Sequence, residues 1–277
     1  MTLLATQGYT VYATHIPAKV PAPVPGVTWL SCDLIRADAT ATWPTQCDSV
    51  IYLAQSPAWR VFPVGAVDVF QVNVAAALRA AEYARQARVR RFIFASSGSV
   101  YTQIMRPACE AEPFDLHAPR TFYVASKLAA ELLLRPYATL LPVVILRLFT
   151  PYGVGQNPDM LIPQLVRRVR EGEPISLHGT DGLRTNPVAV GDVVDVLRAC
   201  LALDTSVILN IAGPEVLTLR EIGLCIGRVL GLEPRFETHP DQVPPVIVGD
   251  TSALRAALGW VPETRFEAGL RNWLQDD

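Results

Sequence analysis

The chain lacks the features that mark a disulfide scaffold, a metal protein, a membrane protein or a nucleic-acid binder. Its five cysteines, Cys32, Cys47, Cys109, Cys200 and Cys225, and its four histidines are scattered without paired or metal-ligand spacing. That scatter marks neither a bridged framework nor a metal site, and buried thiols in a reducing compartment are the default expectation. No apolar run reaches the ~20 residues of a membrane span, and the first residues lack the charged-then-apolar order of a signal peptide. The expectation is a soluble, cytoplasmic protein with no membrane partner. Neither sign of charge is in excess: 24 Lys and Arg against 26 Asp and Glu give a net charge of -2, which offers no field for nucleic acid. The run from Arg85 to Arg91 reads as a helix end entering a strand. There is no internal repeat and no low-complexity tract.

What is present is apolar. With 277 residues and 50% hydrophobic content, the chain can bury a large core as one big domain or as two lobes sharing a cleft, and a small-molecule partner is expected. Short apolar runs at Tyr9 to Thr14, Val27 to Leu30, Ser49 to Ala54, Arg91 to Ser96 and Val143 to Phe149 read as strands of a parallel sheet. Helical periodicity covers Val67 to Arg88 and Phe122 to Leu140. The fold class is therefore α/β, a doubly wound parallel sheet. Beyond Pro151 the texture shifts to Pro- and Gly-rich loops, helices at Leu161 to Arg170 and Leu219 to Leu230, and short strands at Pro174 to His178 and Pro187 to Val190. The expected division is residues 1–150 as the main lobe and 151–277 as a smaller α+β lobe, with 207–213 returning to the main sheet. Gly223, Gly227 and Gly231, four residues apart, indicate close helix packing.

The chemistry concentrates in Tyr123-Val124-Ala125-Ser126-Lys127. A tyrosine and a lysine four apart on a helix share one face, and the ammonium favours the phenolate, turning a phenol of pKa ~10 into a usable acid or base. The spacing alone also arises where a tyrosine covers a core beside a solvated lysine. The strand Arg91 to Ala95 runs into Ser96-Ser97-Gly98-Ser99-Val100-Tyr101, placing hydroxyls at a strand's carboxyl end, where open parallel sheets bind ligands.

Ser97, Tyr123 and Lys127 in this order resemble the triad of the extended short-chain dehydrogenase/reductases, the NAD-dependent epimerase/dehydratase family of nucleotide-sugar enzymes. Further landmarks follow in family order: Asp33-Leu34, Val50 to Ala54, Asn73 opening a helix, and Arg147 to Gly153. Gly172 to Ile175, Gly182-Leu183-Arg184, Gly191-Asp192-Val193 and Leu258-Gly259-Trp260 continue the series. The resemblance implies a Rossmann-like lobe that binds NAD or NADP and a lobe for the substrate. It implies that Tyr123 exchanges a proton with a substrate hydroxyl while the nicotinamide exchanges the hydride, that Lys127 bonds the nicotinamide ribose, and that Ser97 holds the substrate oxygen. By the same resemblance Asp33 and Leu34 flank the adenine, and Leu53, Ala54 and Gln55 line the diphosphate and ribose. Asn73 and Phe149 belong to the cofactor site, and Ser99, Thr150 and Arg184 to the substrate site, with Arg184 pairing with a phosphate. A homodimer through the helices of Val67 to Arg88 and Phe122 to Leu140 is implied as well.

The sequence departs from the family at its beginning, where a first strand and a Gly-rich turn for the pyrophosphate are expected and neither is found. A misplaced start or a truncated chain is the first explanation, and a degenerate member that no longer binds dinucleotide is the second; weak or absent dinucleotide binding is expected of this chain. His15 stands where relatives often carry an acid for the adenosine ribose, which leaves NAD and NADP equally open. Ser97-Gly98-Ser99 lacks the Asp-Glu pair associated with dehydration, so the implied reaction is epimerisation or carbonyl reduction. Thr150 and Thr102 replace a frequent asparagine and glycine, which leaves the substrate open. Three readings follow: an epimerase or reductase of a nucleotide sugar, a reductase of a non-nucleotide carbonyl compound, and a non-catalytic binding subunit.

Overall fold

A computed structural model of the chain describes residues 1–101, 105–115, 117–118 and 120–275; Thr102 lies outside these. The chain opens with helix α1 (Thr2–Thr6), followed by strands β1 (Val11–His15), β2 (Val27–Ser31) and β3 (Ser49–Tyr52). Gly8, at φ 85°, makes the left-handed turn between α1 and β1 that a side chain would disfavour. β1 and β2 pair in parallel from Val11 opposite Val27 to His15 opposite Ser31.

The helical span after β3 departs from the continuous helix expected over Val67 to Arg88. It consists of α2 (Ala66–Phe70), a π turn (Gln71–Ala76) and α3 (Ala77–Gln86). Asn73 therefore sits within the helical run and does not open it. A π turn admits an extra residue and rotates the face that follows. α3 buries a small-residue stripe, Ala77, Ala80, Ala81 and Ala84, all 0% exposed. Strand β4 (Arg91–Ser97) is buried at every position, as expected of a central parallel strand covered on both faces. It runs into a 3-10 turn (Gly98–Val100).

Helix α4 (Phe122–Leu134) starts at Thr121, whose hydroxyl accepts from the Val124 amide at 3.3 Å. It ends short of the expected Leu140, tightening into a 3-10 turn (Arg135–Thr139) where Pro136 supplies no amide proton. Strand β5 (Val143–Leu148) follows. The remaining elements are β6 (Pro151–Tyr152), α5 (Leu161–Glu171), β7 (Pro174–His178), β8 (Arg184–Thr185), β9 (Val188–Ala189) and α6 (Val190–Cys200). Then come β10 (Val207–Ile211), β11 (Leu217–Thr218), α7 (Leu219–Leu230), β12 (Arg235–His239), β13 (Val246–Ile247), α8 (Ser252–Leu258) and α9 (Phe266–Gln275). Among the described residues the largest sheet has the order β10-β5-β4-β3, and β1 and β2 form a ladder of their own. The α/β class expected from the strand and helix rhythm is the observed one.

The chain passes between two compact units several times. One comprises Met1–Ala95, Arg120–Ile145 and Leu201–Val207; the other comprises Ser96–Pro119, Leu146–Cys200 and Ile208–Asp277. In the second unit α5, α7, β7 and α9 enclose a core that includes Ile162, Leu165, Ile175, Ile222, Ile226 and Phe266. The glycines of α7 divide their work. A Cβ at Gly223 would lie 2.9 Å from Ile175 and Phe236, one at Gly227 2.6 Å from the Leu232 carbonyl, and Gly231 caps the helix at φ 67°. Among the described residues the five cysteines are free, no group of His, Cys, Asp and Glu could hold a metal, and no helix is long and apolar enough to cross a membrane.

Candidate active site

Within the first unit the residues that follow β3 are tied to α4 by a buried polar chain. The Ser56 amide donates to Asn73 Oδ1 at 3.1 Å, and Asn73 Nδ2 donates to Ser126 Oγ at 3.0 Å. Ser126 Oγ in turn donates to the Tyr123 carbonyl at 2.7 Å. The Ser56 hydroxyl donates to the Asp68 carboxylate and accepts from the Ala58 amide at 3.0 Å. Asn73 is 0% exposed. A buried amide satisfied at both ends fixes the elements it joins, here the start of the loop and the first turn of α4.

Lys127 lies one turn beyond Tyr123 on α4. It is 3% exposed, its Nζ donates to the Ala95 carbonyl on β4 at 2.8 Å, and it sits 5.1 Å from the centre of the Phe94 ring. Burial pulls its pKa down to about 8, opposed by the negative field of Glu131. The ammonium carries three protons and the Ala95 carbonyl takes one, leaving donors for hydroxyl groups such as a ribose diol. The half-buried Tyr123 ring packs at 5.2 Å and 57° against Trp59, whose indole also lies beneath the Arg60 guanidinium at 4.2 Å. Ser56, Trp59 and Arg60 are not singled out by the sequence, because the loop after β3 has no periodicity to reveal them, and Asp68 reads only as a polar residue in the first turn of α2.

The other expected cofactor residues of this unit are placed as follows. Leu53 is 56% exposed just past β3, with Ala54 and Gln55 half-buried behind it. Asp33 closes an Asx turn, its Oδ1 accepting from the Ile35 amide at 3.2 Å, and the Leu34 carbonyl accepts from Arg79 of α3. His15 Nδ1 is 2.9 Å from the Ile16 carbonyl, and its ring meets Trp29 edge-on at 6.2 Å. The remaining donors of Lys127 fit the hydroxyls of a dinucleotide's ribose. The glycines of the unit, Gly8, Gly26 and Gly65, are isolated and form no clustered turn of the kind that cradles a diphosphate.

In the second unit Ser97 closes β4, 9% exposed, with its Oγ accepting from the Ser99 amide at 3.2 Å. Ser99 is half-buried. Phe149 is 1% exposed and stacks on Tyr101 at 6.0 Å. Thr150, at φ 44°, brings its Oγ1 to 2.7 Å from Thr185 Oγ1, and the neighbouring Arg184 is exposed on β8. Thr150 and the Arg184 strand are thus brought together. A second network lies behind Phe149: Arg147 Nη1 donates to Tyr101 Oη at 2.6 Å, and Tyr101 Oη donates to Asn210 Oδ1 at 2.9 Å. The Asn210 amide donates to Glu110 Oε1 at 2.6 Å. Burial pushes the Tyr101 phenol up to about 12, partly opposed by Arg147, and burial raises the Glu110 carboxyl above its usual range.

Residues 1–212 match the NAD dependent epimerase/dehydratase family. A UDP-glucuronate 4-epimerase of Thermodesulfobacterium geofontis is 29% identical over 217 residues, 74% of this chain and 65% of that protein. A GDP-6-deoxy-D-mannose reductase of Pseudomonas aeruginosa is 27% identical over 294 residues, 95% of this chain and 90% of that one. The solved structure of MoeE5 in complex with UDP-glucuronic acid and NAD superposes with a TM-score of 0.83 at 28% identity, covering 99% of this chain and 94% of that one. The matched segment spans about two thirds of the length of several curated relatives, 65% and 64% in two cases.

Proposed function

Because the chain belongs to the NAD dependent epimerase/dehydratase family, we propose that it acts on a nucleotide sugar by reversible hydride transfer and inverts a ring carbon. Tyr123 is the proton-transfer group in this reading. The observation that carries it is the buried ammonium of Lys127, fixed on the Ala95 carbonyl at 2.8 Å one helical turn from Tyr123. Below pH about 8 that ammonium is charged, and a fixed positive charge on the same helix face favours the phenolate that takes a proton from a sugar hydroxyl. Lys127 also offers donors to the ribose of the cofactor. A nicotinamide dinucleotide bound there supplies the hydride exchange.

Ser97 is the proposed hydroxyl partner of the substrate oxygen, with Ser99 and Thr150 completing the polar contacts and Arg184 taking a phosphate as a charged fork. Asp33, Leu34, Leu53, Ala54, Gln55, Asn73 and Phe149 are assigned to the cofactor site, with NAD as the first cofactor to test, since the structure of MoeE5 is a complex with NAD. The exposed side chains of Val67, Phe70, Leu132 and Leu133 on α2 and α4 support a homodimer through these helices.

A second reading, one-way reduction of a keto group on a nucleotide sugar, is favoured by the match to the mannose-series reductase over 95% of the chain. Incubation with NAD and nucleotide sugars, followed by chromatography of the products and absorbance of the reduced cofactor, separates the readings. Epimerisation yields a new sugar with no net change in cofactor, and reduction consumes reduced cofactor one for one. Absence of both dinucleotide binding and turnover identifies a non-catalytic member. Tyr123→Phe lowers turnover at least about a hundredfold with little change in cofactor affinity; full activity in this variant removes Tyr123 from the mechanism.

A further inference from the structure

Tyr101 has no part in the proton and hydride chemistry, yet its side chain, 8% exposed, is held from two sides. Its hydroxyl accepts from Arg147 Nη1 of β5 at 2.6 Å and donates to Asn210 Oδ1 of β10 at 2.9 Å, and both partners are 0% exposed. Asn210 is fixed in turn, because its Nδ2 donates to the Ala108 carbonyl at 2.8 Å and to the Asp250 carbonyl at 3.0 Å. The backbone of Tyr101 closes the turn that Ser97 opens: its amide donates to the Gly98 carbonyl at 3.2 Å, and the Ser99 amide donates to Ser97 Oγ at 3.2 Å. We propose that Tyr101 is a positioning residue for the Ser97 hydroxyl and sets the direction in which that hydroxyl meets a substrate oxygen. The inference rests on the proposed function, in which Ser97 holds that oxygen.

Three observations carry it. The first is the choice of side chain. A phenylalanine would fill the same space without drawing on a buried guanidinium and a buried amide, each of which must be satisfied in the interior. The hydroxyl between them fixes the direction of the ring as well as its depth. The second is the path to Ser97. The Tyr101 ring stacks on Phe149 at 6.0 Å and 26°, and a Cβ at Gly98 would lie 2.7 Å from the Phe149 ring. The residue between Ser97 and Ser99 is therefore laid against a ring on which Tyr101 stacks. Gly249, at the other edge of Phe149, is clamped by Asn186, whose Nδ2 donates to its carbonyl at 2.9 Å and whose Oδ1 accepts from its amide at 3.0 Å. The third is the state of the two hydroxyls. Burial pushes the Tyr101 phenol up to about 12, so it stays a fixed donor to Asn210 and carries no proton for the reaction. Ser97 Oγ, with one lone pair taken by the Ser99 amide, keeps its own proton for an oxygen of the substrate. A donor misplaced by about 1 Å can cost about a hundredfold in rate, so the turn that aims it governs turnover.

The test has a structural and a kinetic arm, both on the full chain. In hydrogen exchange followed by NMR, the Ser99 and Tyr101 amides of the parent are expected to exchange within about tenfold of the Phe149 amide, which donates to the Ile211 carbonyl at 2.9 Å. Tyr101→Phe keeps the ring and removes the hydroxyl, and is expected to speed exchange at Ser99 by at least about tenfold more than at Phe149. In turnover of a nucleotide sugar with NAD, the same variant is expected to lose about tenfold in kcat with KM within about twofold, and to lose less than about twofold in kcat when introduced into Ser97→Ala. A side chain that merely supports the fold would lower kcat equally in both backgrounds. Equal losses, an unchanged kcat, or a parent Ser99 amide that exchanges far faster than that of Phe149 overturns the inference, and leaves the proposed function standing where the parent turns over. The parent measurement needs no variant, so it decides even where Tyr101→Phe does not fold. A parent that turns over no nucleotide sugar removes the proposed function, and exchange at Ser99 then decides alone whether Tyr101 sets the turn.

Discussion

Asn73 donates through Nδ2 to the hydroxyl of Ser126 at 3.0 Å, joining the π turn to the first turns of α4. With its Oδ1 occupied by the Ser56 amide at 3.1 Å, this one side chain sets the loop that carries Trp59 and Arg60 against the helix that carries Tyr123 and Lys127. Asn73→Ala strands a buried amide and removes a buried hydroxyl's donor, which costs on the order of 1–3 kcal/mol. Urea unfolding is expected to show that loss. Turnover is expected to fall through kcat more than through KM, because the group displaced is the phenol proposed to transfer the proton. An unchanged midpoint with unchanged kcat would show that the bridge positions nothing.

How far this was readable from sequence depends on the kind of signal. The buried strands and α4 declared themselves because a hydrophobic period is a local property; β4 is apolar from Phe92 to Ala95 and buried throughout. The π turn did not, since Val67 to Arg88 keeps helical composition through it, and only the long-range partners of Asn73 show why the run widens there. The early end of α4 was legible in Pro136, a helix breaker at the observed position. Tyr123 and Lys127 were found by spacing and family resemblance. Trp59 was not, because its partner is 64 residues away in the chain and its loop has no pattern.

Lys127 imposes opposite pH trends on stability and activity. Its folded pKa, about 8, lies below the ordinary 10.5. Between these values the unfolded chain holds the proton that the folded chain has released, so this group makes stability rise from pH 8 to pH 10.5. Lys127→Met abolishes that rise, read as the difference between the two proteins in urea midpoint across this range. If Tyr123 transfers the proton as proposed, turnover of the unsubstituted protein is expected to fall over the same window, as the ammonium proposed to favour its phenolate is lost. A midpoint difference that stays flat from pH 8 to 10.5 would falsify the buried-charge account.

Glu110 has the opposite sign. Burial raises its carboxyl above the ordinary 4.5, with the charge of Asp250 adding to the rise and Arg147 opposing it. Above pH 4.5 the folded chain retains a proton that the unfolded chain has lost, so this group makes stability fall as pH climbs through the raised value. Glu110→Gln keeps an oxygen for the Asn210 amide, which Glu110 now accepts at 2.6 Å, and carries no charge. The variant is expected to be as stable as the parent at pH 4 and relatively more stable at pH 7. A parallel loss at both pH values would mean that the hydrogen bond depends on the carboxylate.

Phe149 is wedged between two glycine backbones. A Cβ at Gly98 would lie 2.7 Å from its Cδ1, Cε1 and Cζ atoms, and one at Gly249 equally 2.7 Å from its Cε2 edge, while Tyr101 stacks on the ring at 6.0 Å. The ring has no direction in which to retreat, so Gly98→Ala overpacks the site and is expected to destabilise by about 1–3 kcal/mol. Phe149→Leu costs stability alone by opening space at the same place. Combined, the extra methyl fills part of the space the ring vacated, and the double variant should be more stable than the sum of the single losses by more than the ~0.5 kcal/mol scatter of independent sites. Calorimetric melting of the four proteins closes the cycle, and strict additivity would mean that the Gly98 backbone and the Phe149 ring do not touch in solution.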